Sequence, residues 1–252
     1  MPGQRVSHFW RTTMFVTIRG HTLYLPGIPT QPVVLDLGAN RGEFSREFCE
    51  RFGGTSVLVE ANPVLAATLP TDGRFRSVNA AVAVQEGPVT FHLAKNDEGS
   101  SLLPLPSQSE FNCVLSEVVT VPGRRLETML VEMGPRIDVL KMDIEGAEVA
   151  VLASLDFSVL ATVGQLTVEF HCDPVFGYGG RDAVEQLLNQ FEHHGFLALD
   201  FHSQRRLDVL LINRHQHPIG GLRRLGLRLR YRPPVWLQRA KALLPAFLKR
   251  HP

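Results

Sequence analysis

Val33-Val34-Leu35-Asp36-Leu37-Gly38-Ala39-Asn40-Arg41-Gly42 is the stretch whose reading decides how this chain folds. An apolar run broken by one acid, then glycines at Gly38 and Gly42, is the pattern of a buried parallel strand that ends in a tight turn and feeds a helix. Glycine there admits positive φ and lets a ligand approach the backbone. Asp36 is the odd residue. A carboxylate near the end of an apolar strand needs a partner, because an unpaired buried charge is costly. A polar or cationic ligand at the strand's carboxyl end, where open α/β sheets bind small molecules, is the simplest partner to expect.

Outward from that turn, strand and helix patterns alternate. A helix over Gly42–Phe52 puts Phe44, Phe48 and Cys49 on one face and stops at Gly53-Gly54. Strand Ser56–Glu60 follows, then Asn62 as a helix cap with Pro63 behind it, a short helix Val64–Leu69 and strand Phe75–Asn79. Pro88–Lys95 and Cys113–Val121 read as extended segments around a polar loop, Asn96–Asn112, where a substrate lid would sit. Helix Gly123–Met133, strand Ile137–Met142, a turn at Asp143–Gly146 and helix Ala147–Leu155 come next. Strand Gly164–His171, a glycine-rich loop Gly177–Gly180, helix Ala183–His194 and a hairpin of Phe196–His202 with Leu207–Ile212 close the body. Seven strands in this order predict an α/β, doubly wound, mostly parallel Rossmann-like sheet with a C-terminal antiparallel hairpin. Met14–Ile18 and Thr22–Leu25 read as a small hairpin, so residues 1–32 are expected to form a cap or edge element and 33–213 the main domain.

The 252 residues, 44% hydrophobic and 20% charged, suffice for one large domain. Three cysteines without CxxC spacing argue against a zinc ribbon or a disulfide scaffold, and point to a cytoplasmic compartment. No apolar run is long enough to span a bilayer, and Phe15–Ile18 is too short for a signal peptide. The net charge of +1 hides an asymmetry. Residues 214–252 hold ten Lys or Arg and no acid, which leaves 16 basic against 25 acidic residues in 1–213. Within that tail Val235, Trp236, Leu237, Ala240, Leu243, Leu244, Phe247 and Leu248 recur at helical spacing. The tail therefore reads as a partly amphipathic helix that packs on the acidic body or lies peripherally on an anionic membrane. With few aromatics interleaved, nucleic acid is a poor candidate partner.

Chemistry-bearing residues gather at three places. Glu60 ends the second strand, where one carboxylate can take both hydroxyls of a ribose. Asn40 stands where a dinucleotide fingerprint needs its second glycine, which disfavours nicotinamide cofactors. Lys141, Asp143 and Glu145 share a face at strand period two, ahead of Glu148. Charges so placed must pair with one another or face a cleft, although Glu148 could simply favour the next helix's N-terminus. Glu169 and His171 share a face at the end of the following strand, and an imidazole there could take a proton.

D-L-G-A-N-R-G at Asp36–Gly42 resembles motif I of class I S-adenosylmethionine-dependent methyltransferases. With V-E-A-N-P at Val59–Pro63, Gly99-Ser100-Ser101, L-K-M-D-I-E-G-A-E at Leu140–Glu148 and V-E-F at Val168–Phe170, the chain resembles the FkbM family of methyltransferases over roughly 33–212. It departs from that family's usual Asp at Leu126-Glu127. The resemblance implies methyl transfer from S-adenosyl-L-methionine, commonly to a hydroxyl of a sugar, glycan, polyketide or similar metabolite. On it, Asp36, Gly38, Asn40 and Gly42 hold the donor's methionine part, Glu60 its ribose with Asn62 alongside, and Asn79 or Ala80 border the adenine. An alcohol is a poor nucleophile until deprotonated, so a base is needed, with Asp143 and His171 the candidates and Lys141 beside them. Glu145, Glu148, Glu169 and Ser100 complete the acceptor side. Asp143, Glu169 and His171 could instead hold Mg2+ as a Lewis acid. An RNA or protein methyltransferase and a non-catalytic S-adenosylmethionine-binding protein are the competing readings.

Overall fold

The computed structural model describes residues 14–95, 99–104, 114–171, 180–201 and 207–233. The chain opens with a hairpin, β1 (Phe15–Ile18) and β2 (His21–Tyr24). The body then runs β3 (Val33–Leu37), α1 (Glu43–Phe52), β4 (Thr55–Glu60), α2 (Pro63–Ala66) and β5 (Phe75–Asn79). An excursion follows through β6 (Ala81–Val82), β7 (Gly87–Ala94) and β8 (Leu115–Arg124), a separate sheet in the order β6-β8-β7. The body resumes with α3 (Leu126–Met133), β9 (Ile137–Met142), α4 (Glu148–Ala153) and β10 (Val163–Phe170). It ends with α5 (Gly180–His193), β11 (Phe196–Asp200), β12 (Leu207–Asn213) and α6 (Gly221–Tyr231).

Seven of these strands form one sheet in the order β11-β12-β10-β9-β3-β4-β5. All its pairings are parallel except those of β12, which runs antiparallel to both β10 and β11. The expected doubly wound, mostly parallel architecture is therefore what the chain adopts. From β3 the chain winds outward through β4 to β5, then crosses back to place β9 on β3's other side. This reversal opens a crevice at the carboxyl ends of β3 and β9, where such sheets take ligands.

Side-chain alternation divides the core between two layers. Leu35, Leu37, Leu140, Met142, Leu166 and Val168 pack on one face with residues of α3, α4 and α5. On the other, Val34 and Val139 meet Phe44 and Phe48 of α1 together with Ile18 and Leu23 of the hairpin. β9 and β10 are buried along their whole length, as strands covered on both faces must be.

The second face also carries a row of buried polar groups, which the N-terminal hairpin satisfies. Gln165 Oε1 accepts from Tyr24 N at 2.7 Å while its Nε2 donates to Tyr24 O at 3.2 Å. Thr22 donates to Asp208 from both its hydroxyl (2.6 Å) and its amide (3.2 Å). Buried amides and carboxylates left without such bonds would each cost about 1–3 kcal/mol, so the hairpin is fixed to the sheet by need as much as by contact.

Several boundaries differ from the sequence reading. Gly123 and Arg124 finish β8, pairing with β7 and β6, and do not begin a helix. A Cβ at Gly123 would lie 2.6 Å from Val89 Cγ1, so close strand pairing uses that glycine. α2 makes a single turn, after which the amides of Thr68 and Leu69 bond to the carbonyls three residues back, tightening the chain before Pro70. His21 belongs to β2 and not to the turn before it. The glycine-rich loop ahead of Gly180, His202, most of Asn96–Asn112 and the amphipathic stretch after Pro233 lie outside the described residues.

Candidate active site

The crevice at the switch point is held open by backbone. Gly38 has φ 74°, and a Cβ there would sit 1.7 Å from the carbonyl oxygen of Asp143. No side chain fits. Asp143 N donates to Leu37 O at 3.0 Å, and the amides of Gly38 and Ala39 both donate to Val59 O at 3.0 Å. The loops after β3, β4 and β9 are thus tied together without a side chain between them. Lys141 Nζ adds a bond to Gly38 O at 2.6 Å.

Glu60 closes this side. Its Oε2 accepts from Asn40 N at 2.7 Å and its Oε1 from Asn62 N at 2.8 Å. Both oxygens keep lone pairs for a ligand, so a pair of vicinal hydroxyls can still be accepted. Burial raises the pKa of Glu60, and the two amides work against that rise. Asn79 supports the loop from behind, donating to the carbonyls of Glu60 (2.9 Å) and Ala61 (3.1 Å). Asn62 Oδ1 caps α2 by accepting from Val64 N at 3.0 Å.

The resulting cleft encloses about 600 Å³, counting its open mouth. Of the residues expected from sequence, Gly38, Asn40, Glu60, Asn62, Ala80, Ser100, Asp143 and Glu145 line it. Seven others do not line it: Lys141, Glu148, Glu169 and His171 of the charged side, and Asp36, Gly42 and Asn79 of the donor side. Asp36 is fully buried and its partners are internal: Lys141 Nζ at 3.3 Å and the Ser45 hydroxyl at 2.6 Å. Its partner is a lysine of the next strand, in register with it, and not a ligand. Gly42 serves packing, since a Cβ there would meet Leu58 and Leu69. Asn79 acts through the carbonyls it holds. An apolar wall of Leu65, Val82, Phe91 and Leu102 was not expected. Phe91 and Val82 come from the small β6-β8-β7 sheet, whose strands carried no chemical motif.

The opposite side is built from charge. β9 ends at Met142, so strand alternation stops before Asp143, and Glu145 turns back through a left-handed backbone at φ 57°. Lys141, Asp143 and Glu145 are indeed neighbours, but a turn assembles them and not a strand face. Glu148, with no exposed surface, accepts from Ile144 N and Gly146 N at 3.1 Å and faces His171 Nδ1 at 3.0 Å. It serves the helix start and the cluster together. His171 Nε2 lies 3.2 Å from Glu145, 3.6 Å from Glu169 and 3.8 Å from Asp143. His21 enters from the hairpin, its Nε2 3.7 Å from Asp143 Oδ2, and the sequence reading missed it.

These contacts push the pKa values apart. Burial works against a charge on His171, but Glu148, Glu145 and Asp143 outweigh it and raise its pKa to about 10. Burial also opposes ionisation of Asp143, yet Lys141, His21 and His171 hold it well below the usual carboxylate range. Glu145 goes the other way. Burial raises it to about 7, with His171 opposing and Asp143, Glu148 and Glu169 reinforcing. At neutral pH His171 is therefore a cation and Glu145 is poised between its two states. Of the two candidates for the base, Asp143 and His171, the latter would first have to lose the proton that these carboxylates hold on it.

For a metal, ligand atoms within 4.8 Å of one another occur in two sets among the described residues, His21 with Asp143 and Glu169, and Asp143 with Glu145 and His171. The expected set of Asp143, Glu169 and His171 is split between them. His171 is held as a cation by carboxylates in this arrangement and would have to lose its proton to ligate.

Residues 36–198 match the methyltransferase FkbM domain. Over 138 residues the chain is 32% identical to the 2-O-methyltransferase NoeI of Sinorhizobium fredii, covering 48% of this chain and 56% of that protein. Over 75 residues it is 43% identical to the AMB antimetabolite synthetase AmbE of Pseudomonas aeruginosa, covering 29% of this chain and 3% of that one. The chain thus spans about half or less of the length of these curated relatives. A solved structure of M. capricolum TrmK in complex with S-adenosyl-homocysteine aligns with a TM-score of 0.40 at 8% identity, over 89% of this chain and 84% of that one. The matched domain begins after the hairpin that carries His21.

Proposed function

This chain belongs to the FkbM methyltransferase family, and from that premise we propose that its cleft transfers a methyl group from S-adenosyl-L-methionine to a hydroxyl oxygen of a small, glycan-like acceptor. The observation that carries the reading is one cleft with two unlike ends. Glu60, clamped by two amides, lies at one end, and Glu145, with a pKa near 7, at the other. The 2-O-methyltransferase named among its relatives supports oxygen as the receiving atom.

The residues fit the donor. Gly38 lines the cleft with bare backbone, Glu60 offers its remaining lone pairs to ribose hydroxyls, and Leu65, Ala80 and Val82 supply an apolar wall for the adenine. When bound, S-adenosyl-L-methionine supplies an electrophilic methyl carbon on a sulfonium. Glu145, at the cleft wall, accepts the acceptor's hydroxyl proton as general base, its raised pKa matching that task near neutrality. Asp143, held ionised, accepts a hydrogen bond that orients the acceptor. His171 and Lys141 balance the carboxylates behind the wall, so that the loop holds its shape.

Calorimetry with S-adenosyl-L-methionine, followed by a labelled-methyl screen over sugars, glycans, hydroxylated metabolites, RNA and protein, tests the reading. Binding with label appearing on a hydroxyl is the expected result. Label on RNA or protein alone, or binding without transfer to any acceptor class, would replace it with one of the competing functions. A second reading, favoured by the ligand atoms of His21, Asp143 and Glu169 lying within 4.8 Å, gives Mg2+ a Lewis-acid role there. Activity that survives chelator unchanged removes it; loss restored by Mg2+ supports it.

A further inference from the structure

α6 faces two ways. It docks on β11 through Leu227, which joins a buried cluster with Tyr24, Leu197, Leu199, Leu210 and Ile212. At 100° per residue, Leu222, Leu225 and Leu229 fall on the side opposite Leu227. They are 90%, 55% and 38% exposed. Three outward leucines in one stripe cost hydration and contribute nothing to the core, so their placement needs an occupant.

The flanks say which. On the same wheel Arg230 lies nearest Leu222 on one side and Arg228 nearest Leu225 on the other, with Arg224 one step further round, all three exposed, while Arg223 falls beside Leu227 and donates to Met14 Sδ at 3.2 Å. Arg228, below Arg224, is turned toward the body, where it pairs with Glu192 at 2.9 Å. The helix holds no acid, and residues 209–252 hold none at all. A second copy docked stripe to stripe would bring the flanking arginines of both helices together with no acid between them. The chain's own last residues, 234–252, are themselves basic and face the same repulsion. Nucleic acid would satisfy the arginines and leave the leucines in water. An anionic lipid surface satisfies both: acyl chains take the leucines, and headgroup phosphates take guanidinium groups reaching out from either flank.

We propose that α6 is an interfacial helix that seats this protein on anionic membrane, with Leu222, Leu225 and Leu229 inserted and Arg224 and Arg230 at headgroup level. The body keeps 25 acidic residues against 16 basic ones in 1–213, so such a surface repels the rest of the molecule and sets its orientation. The seat is independent of the methyl-transfer cleft and does not rest on its chemistry.

Flotation of the full-length protein with vesicles of phosphatidylcholine and phosphatidylglycerol, against pure phosphatidylcholine, tests this. Binding to the anionic vesicles, falling at high salt, is expected. Leu222→Ser/Leu225→Ser/Leu229→Ser should weaken it about tenfold or more, and Arg224→Gln/Arg230→Gln about fivefold. Because these side chains sit outside the core, thermal unfolding and donor binding should match wild type, which separates a lost membrane seat from a lost fold. Absence of flotation, or flotation unchanged by the leucine variant, overturns the proposal. So does a dimer in light scattering that the leucine variant dissociates.

Discussion

The two ends of the cleft are made by different physics. At the Gly38–Glu60 end, position comes from backbone: the amides of Gly38 and Ala39 donate to Val59 O, that of Asp143 to Leu37 O, and those of Asn40 and Asn62 hold the Glu60 carboxylate, while glycine permits the close approach. At the Asp143–His171 end, position comes from charge, with four carboxylates around one imidazole and a lysine beneath. A backbone-built site is indifferent to pH and intolerant of added atoms. A charge-built one tolerates changes of shape and follows protons.

Gly38→Ala breaks the first end most severely. The new Cβ would overlap the Asp143 carbonyl at a φ that alanine disfavours, so the loops after β3 and β9 must separate. A loss of at least about 4 kcal/mol in stability or of all measurable donor binding is expected, by thermal unfolding and calorimetry. A Gly38→Ala variant that binds donor normally would deny that the switch point is backbone-built.

His171→Gln strikes the other end. It leaves the fully buried Glu148 without its cation, costing about 3 kcal/mol at pH 7. The pH dependence identifies the cause. With its pKa raised to about 10 against 6.5 unfolded, His171 contributes stability that is complete below pH 6.5 and lost as pH climbs toward 10. Wild-type melting temperature should decline across that window, and the His171→Gln variant should be flatter. Donor affinity should stay within about twofold, because Glu60 is held by amides.

How legible each end was follows the same division. The Val33–Leu37 strand, the Asn62-Pro63 cap and the ribose-side acid of Glu60 are local patterns, and local patterns survive without coordinates. Asp36's partner is not local: Lys141 reaches it only through the parallel register of β3 with β9. Glu145 was assigned to a strand face because period two cannot announce a left-handed residue before Gly146. His21 gave no signal at all, since its role depends on a hairpin folding across the sheet to answer Gln165 and Asp208. His171 looked like a base from its residue type. Only the carboxylates around it, drawn from α4, β10 and the turn between β9 and α4, favour its charged form.

Glu145→Gln sharpens the assignment of the base. Turnover should fall about a hundredfold, near 2.7 kcal/mol, with donor affinity unchanged. In the wild type kcat should rise with pH through about 7, as Glu145 ionises, and this limb should vanish in the Glu145→Gln variant. A limb that persists assigns the titration to another group.

Ser101→Ala is the mildest and bears on how the two ends meet. Ser101 is buried in the strand-like segment that pairs with His92 of β7, and its hydroxyl donates to the carbonyl of Glu145 at 2.6 Å. The neighbouring Ser100, singled out from sequence, instead accepts from Ala94 N at 3.0 Å and braces its own loop. One hydrogen bond is worth about 1 kcal/mol, so a roughly fivefold loss of kcat is expected in the Ser101→Ala variant, with donor affinity intact. The decisive readout is the midpoint of the pH limb. If Ser101 fixes the left-handed turn that holds Glu145 against its carboxylate neighbours, releasing it lets that side chain move toward solvent, and the midpoint drops toward an ordinary glutamate. A lower kcat with the midpoint unmoved would mean that Ser101 supports only the loop, and that the turn keeps its geometry through Glu148 alone.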